Sequence, residues 1–138
     1  MSLEKRNRCV SHSAEASAQL ILIVEDDALI AMEIEAQVQA LGYAVLGSAR
    51  SVDAANQLLN RHHPHAALLD VNLNGITVTP IALRLRQLKV PYALVTGYTQ
   101  LALEDPALAD APRLRKPVVE IELAQMLRGL LQGFDQII

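Results

Sequence analysis

The chain has no tryptophan, one phenylalanine, one cysteine and no excess of basic residues, and each shortage excludes something. With so little aromatic bulk, the core of the 138-residue chain must be aliphatic. Hydrophobic residues at 51% against 20% charged argue against general disorder, and the length suits one domain. Cys9 alone can form neither an internal disulfide nor a metal cluster, which suits a reducing cytoplasm. A net charge of −3 gives no attraction to nucleic acid. No apolar run approaches the roughly 20 residues that span a bilayer, and the start of the chain lacks the apolar segment of a secretory signal. A cytoplasmic domain is expected, with neither nucleic acid nor membrane as a partner.

What is present centres on HAALLDVNLNG, residues 65–75. Four apolar residues run straight into Asp70, as in a strand buried on both faces of a parallel sheet. Asp70 then lies at the strand's carboxyl end, where open α/β sheets place their ligand crevice. Asn72, Asn74 and Gly75 turn the chain out of the sheet.

The flanking segments supply an α/β alternation. Residues 1–18 are polar, basic and then rich in Ser and Ala, and read as a flexible N-terminal arm. Leu20 to Val24 is a buried strand ending at Glu25, Asp26 and Asp27. Ile30, Ile34, Val38 and Leu41 recur at helical spacing, and Gly42 stops that helix. Residues 43–46 form a second strand, and Ser51 caps a helix with a Val52, Ala55, Leu58 and Leu59 stripe. Beyond the central strand, Ile81, Leu85 and Leu88 mark a third helix with Pro80 near its start and Arg84 and Arg86 outside. A fourth strand covers residues 90–95 and ends at Thr96-Gly97-Tyr98. Leu101 and Leu103 suggest a fourth helix, interrupted by Asp105-Pro106 and therefore short or mobile. A brief fifth strand, residues 113–115, leaves through Lys116-Pro117. A fifth helix carries Val119, Leu123, Met126, Leu127 and Leu130, and residues 133–138 read as a tail. The pattern predicts a flavodoxin-like, doubly wound, five-stranded parallel sheet of order 2-1-3-4-5 with five helices, over residues 19–132.

That topology gathers Glu25-Asp26-Asp27, Asp70, Thr96 and Lys116 along one sheet edge. Crowded carboxylates disfavour one another's ionisation unless a cation joins them. Lys116 offsets one charge, and an all-oxygen site with the backbone carbonyl of Asn72 suits Mg²⁺. A carboxylate beside such an ion can attack a phosphoryl group and form an acyl phosphate. Lys116 and Thr96 then have roles as a charge and a hydrogen-bond donor toward phosphoryl oxygens. Each residue alone has a plainer reading: Glu25 to Asp27 as helix-capping acids, Thr96-Gly97 as a turn, Lys116 as a surface lysine. Thr77 and Thr79 read as loop and cap residues. His62, His63 and His65 precede the third strand at the opposite edge and read as a solvated loop rather than a metal cluster or phospho-donor.

Jointly, these residues make positions 20–132 resemble the receiver domain of bacterial two-component response regulators. The resemblance implies that Asp70 is the phospho-acceptor, Glu25 and Asp26 the acidic pair, and Thr96 and Lys116 the signalling hydroxyl and lysine. It implies Mg²⁺ bound directly by Asp26 and Asp70 with the Asn72 carbonyl, and by Glu25 through water. DVNLNG, VPYALVTGY and RLRKP are further similar to single-domain receivers of the alphaproteobacterial FAT GUY group, with Leu94-Val95-Thr96 in place of Phe-Ala-Thr. Two departures stand out. The aromatic switch position three residues before the lysine is Arg113, which leaves Tyr98 as an alternative carrier of the signal. Leu73 is followed by Asn74 and Gly75 where many receivers have proline, which predicts a looser loop.

The implied function is phosphorelay signalling: Mg²⁺-dependent phosphotransfer from a sensor histidine kinase or phosphotransfer protein to Asp70. The module would catalyse only its own phosphorylation and dephosphorylation. With no output domain following, output is expected through a downstream protein partner. The face of the fourth helix, fifth strand and fifth helix is the expected contact, including for a homodimer. A receiver module of a hybrid kinase, or a phosphorylation-independent binding module, fits the same residues. An aspartate-nucleophile phosphohydrolase would need a general acid where Asn72 stands. A flavin or nucleotide module would need a phosphate cradle where Glu25-Asp26-Asp27 stand.

Overall fold

The structure is a computed structural model that describes residues 18–97 and 105–137. In chain order the elements are β1 (Leu20–Val24), α1 (Ala28–Ala40), β2 (Ala44–Ala49), α2 (Val52–Arg61), β3 (Ala66–Asp70), β4 (Asn72–Leu73), β5 (Ile76–Thr77), α3 (Thr79–Gln87), β6 (Tyr92–Thr96), α4 (Pro106–Ala109), β7 (Arg113–Arg115) and α5 (Glu120–Ile137). Five strands form one parallel sheet in the order β2-β1-β3-β6-β7. This is the expected 2-1-3-4-5 topology, with the antiparallel pair β4-β5 added between β3 and α3.

Alternation along the strands divides the core in two. Ile21 and Ile23 of β1, Ala66 and Leu68 of β3, and Ala93 and Val95 of β6 pack with Ile34 and Val38 of α1 and Leu123 and Leu127 of α5. Leu22, Val24, Ala67, Leu69 and Leu94 face the other way, onto Ala55 and Leu59 of α2, Ile81 and Leu85 of α3, and Ala107 and Leu108 of α4. Each fully buried leucine or isoleucine contributes about 1.5–3 kcal/mol of transfer free energy. A strand such as β3, buried along its whole length, therefore reads as a continuous apolar run.

The helix ends follow side-chain capping chemistry. The Asp27 carboxylate accepts the N–H groups of Leu29 and Ile30, and Ser51 Oγ accepts that of Ala54. Gly42, with φ of +96°, ends α1 in the left-handed region.

Several expectations are corrected. Asp105-Pro106 begins a helix: Asp105 is the N-cap, extended at φ −77° and ψ 128°, and Pro106 occupies the first turn. Proline restricts its predecessor to extended backbone and costs nothing at a helix start, so the same dipeptide suits both readings. Leu101 and Leu103 lie outside the described residues. β2 runs to Ala49 because it is an edge strand, half-buried as far as Ser48, so Gly47 and Ser48 do not end its pairing with β1. α5 continues through Gly133 to Ile137 where a tail was expected; an interior glycine costs a helix only about 1 kcal/mol. Arg84 is half-buried, and its guanidinium donates to the Asn56 carbonyl and the Asn56 and Asn60 side chains, tying α3 to α2. The histidine loop is exposed but not purely solvated. His65 Nδ1 accepts the N–H of Leu20 at 2.9 Å, and His63 Nε2 lies 3.2 Å from the Leu88 carbonyl it donates to.

Candidate functional site

The carboxyl ends of β1, β3, β6 and β7 meet at one edge and place the predicted residues around an open cleft. The cleft has a volume of about 580 Å³, and Asp26, Asp70, Asn72, Thr96 and Lys116 are among its lining residues. Glu25 is not at its surface. It continues the β1 backbone, its N–H donating to the Ala49 carbonyl, and its side chain is buried at 1% exposure. Glu25 Oε1 lies 3.0 Å from Lys116 Nζ, and Oε2 accepts the Asp27 N–H at 3.1 Å. Lys116 reaches Asp70 Oδ2 at a longer 3.6 Å. The lysine therefore bridges the buried glutamate and the central aspartate, closer to the first. Asp70 and Thr96 are also buried, at 8% and 6% exposure. Lys116 is followed by a cis peptide bond to Pro117. Asp27 is committed to the α1 N-cap.

Charge crowding sets the electrostatics. One carboxylate oxygen each from Glu25, Asp26 and Asp70 fall within 4.8 Å of one another. Burial, then the Glu25 charge, push the Asp70 carboxyl up to about 7, with Lys116 pulling the other way. Burial also pushes Asp26 upward. Hydrogen bonding with Asp70, the Asn74 N–H and Glu25 outweighs it and leaves Asp26 below the ordinary carboxylate value. Burial would lower Lys116, but its bond to Glu25 and the Asp70 charge hold it above the ordinary lysine value. Three carboxylates sharing one lysine leave negative charge uncompensated, and the donors are all oxygen. That donor set, one oxygen each from Glu25, Asp26 and Asp70, could hold Mg²⁺ with retained waters. Both Glu25 oxygens are already engaged, which fits a role through water or through Lys116.

The loop after Asp70 departs from expectation. Asn74-Gly75 was predicted to loosen it; instead the pair closes a two-residue hairpin between β4 and β5, with φ of 55° and 87°. Two successive positive φ values define the type I′ turn that Asn-Gly favours. Gly75 N–H donates to Asn72 Oδ1 at 2.6 Å, and Asn74 N–H donates to Asp26 Oδ2 at 2.9 Å. The hairpin therefore touches the acidic pair directly, a contact missed from sequence although the Asn-Gly signal was in view. Thr77 Oγ1 accepts the Thr79 N–H and bonds the Thr79 hydroxyl, but the loop-and-cap reading is corrected: Thr77 belongs to β5 and Thr79 is the first residue of α3, whose N-cap is Val78 with no side-chain cap bond.

Arg113, at the aromatic switch position, is half-buried on β7 opposite Leu94 and lines a groove with Glu122 and Met126 of α5. Tyr98 lies outside the described residues.

Comparison with known proteins agrees with this geometry. The model of the response regulator receiver domain matches residues 21–128. The phyllosphere-induced regulator PhyR of Methylorubrum extorquens is 32% identical over 100 residues, which is 70% of this chain and 38% of that protein. The positive alginate biosynthesis regulatory protein of Pseudomonas aeruginosa is 32% identical over 112 residues, 78% of this chain and 45% of that protein. The chain thus spans less than half the length of either curated relative. Among solved structures, the receiver domain of Erythrobacter litoralis PhyR superposes with a TM-score of 0.76 at 25% identity, covering 86% of this chain and 93% of that one. A five-stranded parallel sheet of this order, an acidic cluster with a lysine at its carboxyl edge, and a family match over most of its length place the chain in the response regulator receiver domain family.

Proposed function

We propose that the chain is a phospho-accepting receiver in two-component phosphorelay signalling, taking a phosphoryl group from the phosphohistidine of a sensor kinase or phosphotransfer protein onto Asp70. The observation that carries this reading is the placement of Asp70 in an open cleft, within 4.8 Å of two further carboxylates and 3.6 Å from Lys116. An Asp70 oxygen attacks phosphorus, the P–N bond to the partner's histidine breaks, and the imidazole leaves with the electron pair. The new O–P bond makes an aspartyl phosphate. Mg²⁺, when bound, neutralises phosphoryl oxygens and favours the ionised Asp70.

The chain's own residues do the rest. Asp26, Asp70 and the Asn72 carbonyl would hold the ion. Lys116, a mobile point charge, exchanges its long contact with Asp70 for a phosphoryl oxygen. Glu25 keeps the lysine ionised and aimed into the cleft. The Thr96 hydroxyl, at the end of the neighbouring strand, donates to another phosphoryl oxygen.

Receivers are signalling modules, not enzymes in the usual sense, and their product is a changed surface. Phosphorylation here adds about 1.5–2 negative charges to the cleft. Output then runs through protein contact on the α4, β7 and α5 face, to a downstream partner or a second copy. Among the described residues no helix is long and apolar enough to cross a membrane, and the proposed setting is the cytoplasm. The phosphohydrolase reading is disfavoured because Asn72 has no proton to give a leaving group, and its Oδ1 is held by Gly75.

Incubation with Mg²⁺ and acetyl phosphate, followed by intact-mass measurement, tests the proposal. A phosphate adduct on the unmodified chain that is absent from Asp70→Asn is expected. No adduct on the unmodified chain refutes phospho-acceptance.

A further inference from the structure

We propose that the Tyr92 hydroxyl and the Arg86 guanidinium form a latch that seats α4 against β6 and α3, making α4 a separately releasable element. α4 is a single turn of four residues. A helix this short has no interior and does not persist on its own. Its carbonyls must therefore find donors elsewhere. The Pro106 carbonyl accepts the Asp110 N–H, and the Leu108 carbonyl takes the Ala111 N–H. The Ala111 N–H thus bonds three residues back, and the Ala107 carbonyl, one position earlier, goes to a side chain. Tyr92, the first residue of β6, donates its hydroxyl to that carbonyl in a buried bond.

Arg86 of α3 completes the arrangement. Its Nε donates to the Tyr92 hydroxyl oxygen at 3.1 Å, fixing which way the phenol points. Its Nη2 donates to the Pro106 carbonyl at 3.2 Å. The ring of Tyr92 is 7% exposed and packs in the same apolar cluster as Ala107 and Leu108. Burial holds the phenol above its ordinary value, against a smaller opposing pull from Arg86, so the hydroxyl keeps its proton and stays a donor.

The side-chain hydrogen bonds that reach the α4 carbonyls from β6 and α3 thus come from one tyrosine and one arginine. β6 carries this tyrosine at its first residue and Thr96 of the cleft at its last. The latch stands whether or not Asp70 accepts phosphate.

Hydrogen–deuterium exchange on the full chain tests it. Tyr92→Phe keeps the ring and removes only the hydroxyl. Peptides covering residues 105–111 are expected to exchange roughly tenfold faster or more, while β1 and β3 peptides are unchanged. Arg86→Gln, which frees the phenol and the Pro106 carbonyl together, is expected to accelerate the same peptides. Arg84→Gln, on the same helix but bonded to α2, is the control and is expected to leave them unchanged. Unchanged exchange at residues 105–111 in both Tyr92→Phe and Arg86→Gln overturns the latch. So does equal acceleration throughout the sheet, which would make α4 part of the global unfolding unit.

Discussion

Removing the negative charge of Asp70 should stabilise the metal-free protein at neutral pH and abolish a pH dependence that the wild type shows. Asp70 is 8% exposed and its carboxyl is pushed from 3.8 to about 7. Between those values the folded chain holds a proton that the unfolded chain has released. The contribution is therefore complete below the unfolded value, is lost as pH rises toward 7, and is flat above it. At about 1.4 kcal/mol per pH unit the full span corresponds to about 4 kcal/mol. Side-chain relaxation and solvent in the open cleft reduce this to about 2–3 kcal/mol. For a domain of this size that is a fall of about 6–12 °C in Tm. Asp26, lowered below 3.8, and Lys116, raised above 10.5, titrate outside this window and leave its sign alone. Thermal denaturation in chelator from about pH 5 to about pH 8 should show wild-type Tm falling and Asp70→Asn staying level. Mg²⁺ should restore wild-type Tm at the upper end, because binding to the folded state adds stability. A wild-type profile that is flat or rises, or an equal fall in Asp70→Asn, refutes the electrostatic account of the cleft.

Lys116→Ala leaves Glu25 as an unpaired buried charge and should cost about 2–4 kcal/mol in urea denaturation. Gly75→Ala forces a side chain onto φ of +87° and should cost about 1 kcal/mol. By loosening the Asn74 hold on Asp26 it should also weaken Mg²⁺ binding severalfold in calorimetry. Gly42→Ala, equally strained at φ of +96° but distant from the cleft, should cost the same stability and leave Mg²⁺ affinity unchanged. Asp27→Ala removes the α1 cap and should cost about 1 kcal/mol without affecting the phosphate adduct; loss of the adduct would show that Asp27 belongs to the site.

The strands that build the site were legible because parallel strands buried on both faces leave an uninterrupted apolar run. Residues 21–24 and 66–69 are of this kind, and each run ends at the acids that matter. Edge strand β2 was cut short because a half-buried strand tolerates Gly47 and Ser48. Asp105-Pro106 starts α4, which the dipeptide alone does not announce because extended backbone before proline suits a helix start as well as a break. Asn74-Gly75 was seen as turn chemistry, but its hydrogen bond to Asp26 joins residues 48 positions apart. Such a pairing depends on tertiary geometry that local pattern does not encode. The Tyr92, Arg86 and Ala107 bonds were out of reach for the same reason, as was Arg84 bridging two helices. Exposure was misjudged for Arg84 because an arginine's stem buries readily while its fork finds acceptors.

The central claim is that Asp70 carries the phosphoryl group as an acyl phosphate. Borohydride reduces such an anhydride, and not a carboxylate or a phosphate ester, to the alcohol. Protein treated with Mg²⁺ and acetyl phosphate should therefore be reduced, digested and mapped by tandem mass spectrometry. Homoserine at position 70, absent when Mg²⁺ is chelated, is the predicted result. Conversion at Asp26 or Asp27, or at no position despite a phosphate adduct, would contradict it.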